Sequence, residues 1–132
     1  MKTKPYLTND DCKKIAAGCL AEAQKNKWAV TIAILDDGGN LLYLERMDGA
    51  NPLSAEIAQR KGRTSAMTGR PSLVWEQRIK DGRIAMLAMP VLPVQGGMPI
   101  AVDGHNVGGV GVSGVQSHED EQIASAGIAL LK

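Results

Sequence analysis

Residues 29–47, AVTIAILDDGGNLLYLERM, hold two apolar runs either side of a polar turn, and their reading decides the fold class. Ala29 to Leu35 is β-branched and too short for a typical helix. Asp36-Asp37-Gly38-Gly39-Asn40 supplies turn residues, and Leu41 to Met47 forms the second run. This is the pattern of a β-hairpin. Two strands joined so tightly must run antiparallel, because a parallel pair needs a long crossover.

Helical spacing lies on both sides of the hairpin. Upstream, Thr8 followed by Asp11 resembles a capping box with Asp in place of Glu, and Cys12, Ile15, Ala16, Cys19, Leu20 and Ala23 recur on one face of a helix ending near Lys27. Downstream, an Asn51 cap and Pro52 at the first helical position open a second helix that runs through Met67. Gly62 interrupts it at a cost of about 1 kcal/mol relative to Ala, which points to a close packing contact. Arg70-Pro71 stops that helix, and Ser72 is placed to cap a short third one ending near Asp81-Gly82.

Residues 88–94, 98–103 and 106–113 read as three further strands, and a last helix starts at Ser117 with Asp120 at its third position. The order is helix, hairpin, two helices, three strands, helix. It predicts an α+β fold with a five-stranded antiparallel sheet flanked by helices, as one domain over residues 1–132.

Composition removes several function classes. Fifteen Lys and Arg against fourteen Asp and Glu leave a net charge of +1, and the four aromatic residues offer no base-stacking surface, so no nucleic-acid partner is expected. No stretch has signal-peptide or membrane-spanning character, which predicts a cytoplasmic protein without a membrane partner. Cys12 and Cys19 read as buried thiols on one helix face, and two histidines are too few for a metal site.

Gly109-Val110-Gly111-Val112-Ser113-Gly114 has the spacing G-x-G-x-x-G, but only eighteen residues follow, too few for the distant acid of a dinucleotide site. Val and Gly alternating from 107 to 112 instead describe a strand on which another backbone comes close. Ser113 and Gly114 lead into a helix N-terminus, a place for an anion. Arg46, Lys61 and Arg63 converge if the second helix folds back over the hairpin, either as an anion site or as salt bridges to Glu45, Asp48 and Glu56. His118 with Glu121 three residues on is a geometric pair for proton transfer.

Five segments taken together, 29–50, 57–67, 96–100, 107–114 and 120–130, resemble the HbpS/GlcG/PduO C-terminal-domain-like family, in the same order and over nearly the whole chain. The resemblance implies a profilin-like sheet with flanking helices, homo-oligomers, and haem or corrinoid-related binding in some members. By position it marks Arg46 to Gly49, Lys61-Gly62-Arg63-Thr64, Gly96 to Pro99 and Ser113-Gly114 as signature sites lining a cleft between sheet and helices or between subunits. Gly62 stands where an alanine is usual.

Three functions follow from these readings. The first is a small-molecule-binding protein for an anionic ligand, with haem or another tetrapyrrole as cofactor. Arg46, Lys61, Arg63, Thr64, Gly96, Gly97, Ser113 and Gly114 are its ligand-binding candidates. The second is a cofactor-free lyase or isomerase acting on an aromatic or short organic acid in a catabolic pathway, with His118 and Glu121 as catalytic candidates. The third is an oligomeric accessory protein. Ligand binding ranks first.

Overall fold

A computed structural model describes residues 1–131. The elements are α1 (Asn9–Lys25), β1 (Thr31–Asp36), β2 (Leu41–Arg46), α2 (Leu53–Thr68), α3 (Ser72–Lys80), a 3-10 turn (Ile84–Ala88), β3 (Gly97–Val102), β4 (His105–Ser113) and α4 (Ser117–Ala129). The four strands form one antiparallel sheet in the order β2-β1-β4-β3.

The expected fifth strand over residues 88–94 does not form. Pro90 and Pro93 have no amide to give to a ladder. The amides of Val91 and Val94 each donate only two residues back, to Met89 and Leu92, both at 2.8 Å. Pro99 is tolerated because β3 lies at the edge of the sheet.

The helix starts obey local chemistry. Thr8 Oγ1 accepts from the Asp11 amide at 3.2 Å while the Thr8 amide donates to Asp11 at 2.9 Å, closing the expected capping box. α2 begins at Leu53, with Pro52 in the cap position in place of the expected Asn51, and Asn51 Oδ1 still accepts from the Ser54 amide at 2.9 Å. Ser72 departs from expectation and caps nothing. Its hydroxyl donates to the Val94 carbonyl at 2.6 Å and accepts from the Gly97 amide at 2.8 Å, tying the proline-rich segment to the start of β3. At α4, Gln116 and Glu119 form the capping box, which leaves Asp120 free to turn inward.

The sheet separates two unequal layers. On one face α1 and α4 cover a core that includes Ile15, Ile32, Ile34, Ile100, Val110, Val112 and Ile123, all fully buried. On the other, α2 rests on a thin layer of Ala33, Leu35, Ala58 and Ala66. The layer is thin because β4 presents Gly109 and Gly111 to the helix. A methyl group at Gly111 would overlap the Ala58 carbonyl oxygen, and one at Gly62 would lie 2.9 Å from the Gly111 nitrogen. The close backbone approach expected from the Val-Gly alternation and from Gly62 is therefore this contact between α2 and β4.

Candidate functional site

Because α2 sits low on β4 and β1, edge strand β2 stands beside it with part of its face open. An open cleft of ≈ 780 Å³ runs between them. Its apolar wall comes from Leu35 and Leu41 of the hairpin, Pro52 just ahead of α2 and Ala55 within it. Its polar wall is a helical stripe at successive turns of α2, made of Glu56, Gln59, Arg60 and Arg63. Gly39 at the hairpin tip closes one end against Arg63, where a methyl group would lie 2.9 Å from the arginine stem.

Arg60 and Arg63 are exposed, and among the described residues neither joins an ion pair. Arg63 reaches the Pro90 carbonyl at 3.4 Å, a long contact that leaves most of its donors free. A second, smaller recess of ≈ 230 Å³ lies on the other side of these arginines, between α2 and Pro90, Val91 and Leu92. Two unpaired guanidinium groups beside an apolar wall suit an amphipathic anion.

The other expected ligand-binding residues divide into three groups. Arg46 is exposed at the end of β2, in register with Thr31, which is in turn in register with Ser113 of β4. These three form one row across the sheet, beside the cleft but outside its lining.

Lys61 does not join the expected convergence with Arg46 and Arg63. Its ammonium is buried and donates to Asp120 Oδ2 at 3.0 Å and to the Val112 carbonyl at 3.1 Å. Burial pushes the Asp120 carboxyl up, while the Lys61 charge and the Val115 amide act in the opposite sense. Gly96 and Gly97 belong to this interior arrangement, since a methyl group at Gly96 would lie 2.7 Å from Lys61 Nζ and one at Gly97 would overlap the Lys61 carbonyl. Gly114, at φ +147, lets the chain pass under the Ala29 carbonyl.

Thr64 is also turned from the cleft. Its hydroxyl donates to the Arg60 carbonyl at 2.9 Å and accepts from the Leu92 amide at 2.8 Å, holding the proline-rich segment on α2. His118 is exposed and Glu121 half-buried on α4, and neither lines the cleft. No hydrogen bond joins the two among the described residues. The proposed salt bridges from the cations to Glu45, Asp48 and Glu56 are likewise absent among the described residues.

Sequence reasoning missed Arg60 and Asp120. Arg60 was legible as part of the stripe 56, 59, 60, 63 that flanks the buried face of α2. Asp120 had no local signal, because its partner lies 59 residues away.

A haem would find an apolar wall for its ring in Leu35, Leu41, Pro52 and Ala55, and partners for its carboxylates in Arg60 and Arg63. The iron is less well served. Among the described residues no His, Cys or Met lines the cleft, and both cysteines are buried in α1.

The family model described as haem-degrading protein HbpS-like matches residues 7–129. Protein GlcG of Escherichia coli strain K12 is 46% identical over 114 residues, covering 86% of this chain and 85% of that protein. A crystal structure of a Streptomyces reticuli HbpS double mutant superposes with a TM-score of 0.91 at 32% identity, over all of this chain and 91% of that one. The crystal structure of a PduOC:heme complex superposes with a TM-score of 0.87 at 25% identity, covering 96% and 95% of the two chains. Fold, order of elements and sequence thus agree, and the chain belongs to the HbpS-like family.

Proposed function

We propose that this protein binds a small amphipathic anion, with haem or another tetrapyrrole as the ligand class, in the cleft between α2 and the β1–β2 hairpin. The observation that carries the reading is the pair Arg60 and Arg63, unpaired with any acid among the described residues and set beside Leu35, Leu41 and Pro52. The heme complex of a structural relative supports the same class.

The cleft dictates how such a ligand is held. Arg60 and Arg63 would hold the carboxylates in charge-assisted hydrogen bonds, and the apolar wall would hold the ring. Among the described residues none lining the cleft is a His, Cys or Met, so the residues that would hold a macrocycle here are those at its periphery.

The test is a titration with haem and, in parallel, with metal-free protoporphyrin. Both are expected to give saturable spectral changes at micromolar ligand. Charged hydrogen bonds are worth about 1.5–3 kcal/mol each, so Arg60→Ala/Arg63→Ala should weaken both ligands by at least about tenfold. Folded protein that shows no saturable change, or a double variant that binds like the parent, rejects the cleft.

A further inference from the structure

The polar stripe of α2 is not uniform in charge. Of the nine residues lining the cleft three are charged, and they stand in the order Glu56, Arg60, Arg63 along the helix. At a rise of about 1.5 Å per residue, the acid lies about 6 Å from the nearer arginine and about 10 Å from the farther one along the axis. Gly39 and Arg63 close the cationic end of the cleft, and Pro52 and Glu56 stand at the other.

The helix dipole favours an acid in a first turn, and that alone would account for Glu56. Its surroundings add something. Glu ahead of a cation at i, i+4 is the order that pairs best on a helix, yet Glu56 is exposed and among the described residues joins no ion pair. Gln59 strengthens the same end. Its Nε2 donates back to the Ala55 carbonyl at 3.0 Å, which leaves its carbonyl oxygen without a donor among the described residues. One end of the cleft thus offers guanidinium groups to an anion, while the other offers a carboxylate and an amide oxygen that an anion avoids.

We propose that Glu56 sets the specificity of the cleft, a role that rests on the ligand reading: it admits an amphipathic ring whose carboxylates are gathered on one edge and turns away a ring that carries them on opposite edges. A ring seated with its carboxylate edge on Arg60 and Arg63 brings its far edge toward Glu56. An apolar far edge meets Pro52 there, whereas a carboxylate meets a like charge. The favoured ligand is a porphyrin with two neighbouring propionates, and the disfavoured one carries a propionate on each of its four pyrroles.

The experiment is a fluorescence titration of the full chain with metal-free protoporphyrin and, separately, metal-free coproporphyrin. The readout is the ratio of the two dissociation constants, because differences in ring hydrophobicity are common to parent and variants. Glu56→Gln is expected to lower the preference for protoporphyrin by about fivefold, the weight of one like-charge contact at about 4 Å in water. Glu56→Asp, which keeps the charge, should retain the parent's preference, and Glu56→Lys should lower it beyond the glutamine variant. The difference between parent and Glu56→Gln should vanish in about 1 M salt, where charges are screened within about 3 Å. A ratio that stays at the parent value in Glu56→Gln, including an equal gain for both porphyrins, or a difference that persists in high salt overturns the specificity role and leaves the cleft reading standing. Folded parent that binds neither porphyrin rejects both.

Discussion

Lys61 lies between two exposed arginines on α2, yet its ammonium is buried against Asp120 of α4, a helix on the opposite face of the sheet. Removing one member of such a pair leaves a desolvated charge without a partner, whereas replacing both by apolar groups does not. Lys61→Met is therefore expected to lower stability in urea unfolding by about 3–5 kcal/mol, and Lys61→Met/Asp120→Leu to recover most of that loss. A single variant as stable as the parent would mean that the pair is not closed in solution. In sequence, Lys61 stood out as a cation, but nothing near it said that the charge would be internal. Asp120 read as a helix-capping residue, and Glu119 takes that part instead. One position in the capping box separates the exposed acid from the buried one.

The glycines of β4 set how low α2 can sit. Gly111 faces backbone that cannot rotate away, since a methyl group there would overlap the Ala58 carbonyl. Gly62 faces chiefly the flexible end of Leu35, though the Gly111 nitrogen is also near. Overpacking costs about 1–3 kcal/mol, and a helical Gly→Ala change gains back about 1 kcal/mol of propensity. Thermal unfolding should thus show both variants destabilised, Gly111→Ala the more strongly, because at Gly62 the backbone overlap is smaller and the gain in helix propensity offsets part of it. Two variants as stable as the parent would place the tight contact elsewhere. This packing was legible because alternating Val and Gly is a strand whose one face carries no side chains. The segment 88–94 was misread for the converse reason. Its apolar residues have strand character, but Pro90 and Pro93 remove the donors a strand needs.

Across the whole molecule, the order of elements was readable from turn and cap chemistry, and the α+β class with an antiparallel sheet followed from it. The cleft was only half readable. Arg63 was identified, but Arg60 went unnoticed because the turn in which both lie was read through Lys61. Cys12 and Cys19 offer a probe at this scale. Both are buried between α1 and its neighbours, and burial pushes the Cys19 thiol up to about 12. The thiolate is the reactive form, so a disulfide-exchange reagent at about pH 8 should label neither thiol in the native protein and both after unfolding. Prompt labelling would show that α1 lifts from the sheet in the native state. The ion pair through the end of the sheet then carries a consequence for recognition. Lys61 shares one helical turn with Arg60 and Arg63, so the rivet that fastens it also fixes where the two arginine stems leave the helix. A ligand meets a preset calliper, and only side-chain freedom, not helix motion, has to be surrendered when it closes.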